Sequence, residues 1–372
     1  MQICQSNSLK PYQDSMKTFA MTLFIALAAT MQADAVAAGK NLLKETDKAF
    51  FNTEEARRVG DQVVIYQRDT GGWPKNIDMW SPMNDEEMKN AMADKSRTDD
   101  STIDNNATIM QMKYLARLYR ATGDEKYRDS FAKGLEYLLA GQYENGGWPQ
   151  FWPNPKGYKV HITYNDNAML NVLGLLKDIG TESLYRKGLV SDSLTRECSK
   201  AFDKGIECIL RTQIVVDGKP TVWCQQHDRE TLLPAPARKF ELASYCSLES
   251  VGLVYLLLDI KNPDERVKAS IKGAMEWFDR NKITGMRYVR RGNKGDADCD
   301  SWLEPDPEAS PIWARYYDLE NCRPFVCDRD GVPRERLDQI GHERRNGYGW
   351  YNDRPLNLIP IYEEWKKENG VN

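Results

Sequence analysis

Two short runs in this chain set hard oxygen donors side by side. Asp104, Asn105 and Asn106 stand in "STIDNNATIM", and Asn165, Asp166 and Asn167 stand in "HITYNDNAML". Placing Asn106-Ala107 over Asn167-Ala168 superposes the two runs. Asp and Asn cap helix N-termini because a side-chain oxygen accepts a free backbone N–H there. Capping accounts for one residue in each run and not for three. Carboxylate and amide oxygens brought together from neighbouring elements are the donors that Ca2+ takes in sets of about six to eight, waters included. Cysteine and histidine at zinc-ligand spacing are absent from the sequence.

The second chemical feature is cationic. In "VWCQQHDRETLLPAPARKFELAS" two prolines bracket Ala235 and are followed by Arg238 and Lys239. Proline fixes φ, so the segment is stiff and extended. Read at the opening of the next helix, the two cations oppose the macrodipole. An anionic substrate would explain that placement; the alternative is a pair of charged heads reaching into water. Further on, Arg315, Arg323, Arg344 and Arg345 stand among Trp313, Tyr316, Tyr348, Trp350 and Tyr351. Guanidinium forks grip carboxylates in bidentate fashion, and aromatic faces offer a flat surface to sugar rings. A run of this kind also wraps a helical bundle as a tail, so only part of it is expected to touch ligand.

The elements that must position these groups repeat. Gly71-Gly72-Trp73-Pro74 and Gly146-Gly147-Trp148-Pro149 each follow a glutamine, Gln67 and Gln142. Gln213 precedes Asp217-Gly218 and Trp223 in the same manner, so the glutamines fall 75 and then 71 residues apart. Each loop suits the rim of a site, with Trp73 and Trp148 as sugar-facing platforms, and also suits a buried corner between helices. Between the loops the apolar residues step by three and four: Ile109, Met112, Leu115, Ala116 and Tyr119, then Phe131, Leu135, Leu138 and Leu139. That spacing predicts paired helices. Gly123 and Gly180 stand where helix C-caps are expected. Strand patterning is confined to "KPTVW" and "GMRYV". The expectation is a mainly α protein: an α/α toroid (barrel) of tandem helical hairpins with a central groove and a few short strands. A stacked solenoid is the alternative.

Bulk composition narrows the function classes. The chain has 372 residues, 28% of them charged, with a net charge of −4, which excludes the basic footprint of a nucleic-acid binder. From Met16 it reads "MKTFAMTLFIALAATMQADA", a lysine, an apolar run too short to span a membrane, and Ala33-Asp34-Ala35 as a cleavage site. Residues 1–38 are expected to be a signal peptide with an upstream extension. Residues 39–372 are expected to form one domain of a protein that is secreted or periplasmic and not membrane-bound. Eight cysteines occur; Cys4 would leave with the signal, and Cys322 and Cys327 are a plausible local disulfide.

The motifs TGGWPKN, STIDNNAT, GGWPQFWP, ITYNDNAM, QQHDRETLLPAPARKFE and WARYYDLEN, read together, resemble pectate lyases of polysaccharide lyase family ten. The match runs from about Lys48 to the C-terminus. The resemblance implies an α/α toroid that cleaves (1→4)-α-D-galacturonan by calcium-assisted β-elimination, leaving 4,5-unsaturated oligogalacturonates. It also implies roles. Asp104, Asn105 and Asp166 would form the calcium and substrate-carboxylate cluster. Arg238 would be the catalytic base, with Lys239 beside it as a substrate-binding cation. Arg315 and Arg323 would bind substrate carboxylates. The expected partner is polygalacturonate, and the expected state is monomeric. Two other classes fit parts of the sequence. One is an inverting glycoside hydrolase using Asp104 and Asp166 as acid and base; the other is a non-catalytic binder of acidic polysaccharide.

Overall fold

The computed structural model describes residues 41–186, 188–293 and 296–371. The expected signal peptide lies outside the described residues. Among the described residues ten α-helices follow in chain order: α1 Glu54–Tyr66, α2 Asp85–Ala93, α3 Ile109–Thr122, α4 Glu125–Ala140, α5 Ala168–Thr181, α6 Asp192–Thr212, α7 Ser247–Leu258, α8 Glu265–Arg280, α9 His342–Gly347 and α10 Leu358–Asn369. The pairs α3/α4, α5/α6 and α7/α8 are the hairpins that the apolar spacing predicts. Side-chain caps start half of the ten, among them Thr53 for α1, Asp124 for α4, Ser191 for α6 and Asp264 for α8. Gly123 ends α3 in the left-handed region at φ 68°. Gly180 is not a cap; α5 runs one residue past it, to Thr181.

The hairpins form two parallel rows. The inner row is α3, α5 and α7, and the outer row is α1, α4, α6 and α8. The expected toroid is not there. Among the described residues the strongest helix contacts lie within the hairpins, further ones join α1 to α4, α3 to α5, α5 to α7 and α6 to α8, and no substantial one joins α1 back to α7 or α8. After α8 the chain leaves helix for short strands, and α10 returns to cover α7. Helical periodicity specifies the hairpins but not the angle between one hairpin and the next, which decides whether a row closes into a ring. Strands are also more numerous than the few expected: twelve short ones in five small sheets among the described residues. The largest sheet contains β1 Tyr245–Cys246, β2 Tyr316–Tyr317, β3 Pro324–Cys327 and β4 Pro333–Arg334, antiparallel in the order β4-β3-β2-β1.

The repeated motif is a joint. Gln67 follows α1, and its amide donates to Gly71 O (2.8 Å) in its own loop and to Ser130 O (2.9 Å) in α4. Gln142, after α4, does the same to Gly146 O and to Ala201 O in α6. Gln213, after α6, bonds Thr221 O and Ser270 O in α8. Each outer helix is thereby bolted to the next. Gly71 and Gly146 both adopt φ 93°, and a Cβ there would stand 2.3 Å from Lys133 O and 2.0 Å from Lys204 O. Only glycine permits that approach.

Trp73 and Trp148 are buried corner residues and do not form platforms at a rim. Both are sealed in the core, and their indole N–H groups donate to Val63 O and Leu138 O, each at 2.7 Å. Trp223 and Trp313 repeat the bond onto Ile209 O and Phe278 O. Each indole thus satisfies a carbonyl near the end of the preceding outer helix. The ring faces, packed in the core, are closed to a sugar. The seven described cysteines are all free, so Cys322 and Cys327 do not pair.

Candidate active site

The loops carrying the buried tryptophans place the acid–amide runs. Thr102 N–H donates to Trp73 O and Thr163 N–H to Trp148 O, and the same bond joins Cys246 N–H to Trp223 O. Two residues after each of the first two contacts the chain enters a single 3-10 turn, Asp104–Asn106 or Asn165–Asn167. The two turns adjoin, with Cα atoms within 8 Å across the gap. Their backbones match: Asn105 and Asp166 sit at φ 52° and 50°, left-handed conformations that Asn and Asp tolerate better than most residues. Asp104 and Asn165 are buried, whereas Asn105 and Asp166 are exposed. Acid and amide therefore exchange places between equivalent positions.

The first loop contributes more than its tryptophan. Lys75 ion-pairs with Asp104 Oδ2, and its ammonium lies 5.7 Å from the centre of the Phe151 ring, which Lys159 approaches at 4.2 Å. Asn105 Nδ2 donates to Asn76 Oδ1 at 3.1 Å, leaving the Asn105 carbonyl oxygen without a partner among the described residues. Lys75 and Asn76 escaped the sequence reading, although they stand directly after the first Gly-Gly-Trp-Pro.

Arg238 and Lys239 open no helix: they lie in an irregular stretch, and the next helix begins at Ser247. No helix N-terminus therefore opposes their charge. Arg238 is fixed instead by Glu241. Its Nε donates to Oε2 at 2.7 Å, its Nη2 donates to Oε1, and its backbone N–H donates to Oε2 at 3.1 Å. The guanidinium lies 4.8 Å from the Phe240 ring centre and 5.8 Å from that of Tyr348. The hydrogen bond to Glu241 lifts Arg238 above the ordinary guanidinium range. Burial pushes the Glu241 carboxyl up, but the bonds from Arg238 and Tyr348 outweigh it and hold the group below the usual carboxylate range.

From Glu241 a run of close polar contacts leads to the acid–amide turns. Tyr348 Oη donates to Glu241 Oε1 at 2.7 Å and lies 2.6 Å from Tyr316 Oη. Tyr316 donates to Gln225 Oε1, which also accepts from Arg315 at 3.4 Å. Arg315 ion-pairs with Glu249 and donates to Asn165 Oδ1 at 3.4 Å; Asn165 Nδ2 donates to Asp166 Oδ2 at 2.8 Å. Arg315 is thus buried beneath the site, where it braces Asn165 and Gln225 and does not face an incoming carboxylate. Despite the cost of burial, the adjacent Glu249 charge holds it well above the ordinary range. Arg323 lies at the far end of the β2–β3 hairpin. It is exposed, and no bond among the described residues links it to this chain of contacts. Lys239 is exposed next to Arg238. Glu249 stands three residues past Cys246, the third unit's counterpart of Thr102 and Thr163, so aligning that unit on Trp223 would have drawn attention to it.

The donor chemistry can be tested against a cation. Two carboxylates and the surrounding amide oxygens are hard ligands and fit Ca2+. No group of three or more His, Cys, Asp or Glu that could hold a metal occurs among the described residues.

The model of the pectic acid lyase family matches residues 67–359. Among solved structures, the family 10 polysaccharide lyase from Cellvibrio cellulosa is 32% identical with a TM-score of 0.73, over 87% of this chain and 95% of that one. A mutant of that lyase in complex with trigalacturonic acid matches equally well over 85% of this chain and 95% of its own. No curated protein sequence matches the chain at a significant level. The family match begins at Gln67, the first joint, and ends inside α10, taking in every element of the site just described, so the chain belongs to the pectic acid lyase family and is a polysaccharide lyase.

Proposed function

We propose that this chain cleaves (1→4)-α-D-galacturonan by calcium-assisted β-elimination, with Arg238 as the base and Asp104, Asn105 and Asp166 as the oxygen cluster on the other side of the substrate. The observation that carries the reading is the continuous path of polar side-chain contacts from Arg238 to Asp166, which makes one site of groups 72 residues apart. Bound between the two turns, calcium would supply Lewis acidity to the uronate carboxylate and so stabilise negative charge arising beside it. Asp104 and Asp166 bring charge to the cluster, and Asn105 brings its unpartnered carbonyl oxygen. Lys75 neutralises Asp104 until a cation competes for that carboxylate. Arg238, half exposed and aimed by Glu241, is placed to receive the C5 proton of a uronate lying over the turns. Arg315, sealed below, keeps Asn165 and Gln225 oriented. The protein acts as a monomer and, given the layout of its N-terminal segment, after export.

The test is polygalacturonate incubated with and without Ca2+ and followed in the near ultraviolet. Elimination leaves a conjugated 4,5-unsaturated end that absorbs there. Chelation should abolish the signal and added Ca2+ restore it. Reducing ends formed without absorbance, and unaffected by chelator, would point to a hydrolase. Retained polymer with no product would leave only binding.

A further inference from the structure

Glu241 and Arg238 differ sharply in exposure: the Glu241 side chain is 2% accessible and that of Arg238 is 47% accessible. The carboxylate belongs to the fixed floor, and the guanidinium is the group that faces outward. Every acceptor position of Glu241 near Arg238 is in use. Oε2 takes the backbone N–H and Nε, and Oε1 takes Nη2 together with the Tyr348 hydroxyl. Nη1 is then the guanidinium nitrogen with no hydrogen-bond partner among the described residues. Phe240 and Tyr348 lie along the guanidinium and limit its rotation.

We propose that Glu241 is the positioning residue of the elimination: it fastens two nitrogens of Arg238, is itself fastened by Tyr348, and so presents Nη1 as the atom that takes the substrate proton. The proposal rests on the reading of Arg238 as base. Before reaction Arg238 gives one proton to water, leaving a lone pair on Nη1. The C5–H bond then breaks as the Nη1–H bond forms, the electron pair left on C5 forms the C4–C5 double bond, and the C4–O bond breaks. The departing chain takes a proton from water. Glu241 forms and breaks no covalent bond, and its effect is on where Nη1 points and how readily the guanidinium gives up its proton.

The experiment measures kcat, KM and the pH profile on polygalacturonate at saturating Ca2+ for Glu241→Gln, Glu241→Asp, Tyr348→Phe and Arg238→Ala. Glu241→Gln should lower kcat about 100-fold with KM within about 3-fold, because misplacing a reacting atom costs rate more than binding. Losing the anionic partner should also move the rising limb of its profile, which follows deprotonation of the base, about one unit to lower pH. Glu241→Asp should recover part of kcat and return the limb toward the wild-type position. Tyr348→Phe should lower kcat about 10-fold without moving the limb downward. A wild-type kcat in Glu241→Gln, a loss confined to KM, or a loss of kcat with an unmoved profile would overturn the proposal. Should Glu241→Gln fail to fold, an unaltered kcat in Tyr348→Phe would overturn it. An active Arg238→Ala would remove the base itself. An inactive Arg238→Ala beside an unaffected Glu241→Gln would remove only Glu241.

Discussion

Two residues proposed for the chemistry, Arg238 and Asp104, are each held by an opposite charge within the chain, Glu241 and Lys75. Arg238→Ala should lose nearly all turnover while the protein still retains polygalacturonate in a binding assay; turnover within a few-fold of wild type would take the base role from Arg238. Lys75→Ala strands a carboxylate whose side chain is 3% accessible. Its cost should be about 1–3 kcal/mol of unfolding free energy in chelator. Added Ca2+ should recover much of that loss, since a cation bound to the folded state stabilises it by mass action. Melting curves with and without Ca2+ measure both effects, and a loss that Ca2+ does not reverse would separate Lys75 from the cation cluster. Asp104, Asn105, Asp166 and Arg238 stood out in the sequence by type and local spacing. Glu241 lies only three positions beyond Arg238 yet reads there as an ordinary charged residue. Its significance depends on Tyr348, 107 positions further on, and no local pattern records such a pairing.

At the scale of elements, the glutamine joints explain the repeat better than a binding loop does. Replacing Gln142 by Ala would take a side-chain donor from Gly146 O and Ala201 O, and Gln67→Ala would do the same to Gly71 O and Ser130 O. Each should cost about 1–3 kcal/mol, read as a shift in denaturant midpoint. Gly146→Ala should be worse than either, because its Cβ would meet a main-chain oxygen that cannot swing aside. A Gly146→Ala protein with the wild-type midpoint would contradict the close approach. The hairpins, the joints and Gly123 were legible, since apolar period, glutamine spacing and a C-cap glycine are local signals. The burial of Trp73 and Trp148 was not, because rim and corner demand the same residues. Arg238 was misplaced onto a helix because two prolines stiffen the chain locally but do not determine which element comes after them.

For the molecule as a whole, the open row and the β-rich C-terminal third lay beyond the reach of periodicity, which sees each hairpin but not their mutual angle. Acid stability is a property of the whole chain to which one buried group, His227, contributes. Burial pushes His227 down to about 4, and both ring nitrogens are occupied: Nε2 accepts from Cys224 N–H at 3.1 Å, and Nδ1 lies 2.9 Å from Leu232 O. Charging the ring would set a proton against that N–H. The unfolded chain therefore binds more protons than the folded one between pH 6.5 and about 4. The stability His227 contributes is complete above pH 6.5 and falls away through that window, by roughly 3 kcal/mol in all. Unfolding free energies at pH 7, 5.5 and 4 would measure it, and His227→Gln should flatten the decline. An equal slope in that variant would assign the loss to other groups.

The three joints share one further property. Every acceptor they reach on the following helix is a peptide oxygen, at Ser130, Ala201 and Ser270, and every residue type supplies one. The amide bond therefore reads the path of the neighbouring helix. At the first joint alone the Ser130 hydroxyl adds a bond to Gln67 Oε1, so there the outer helix must also keep its residue type, whereas at the other two it can drift in sequence provided the glutamine stays.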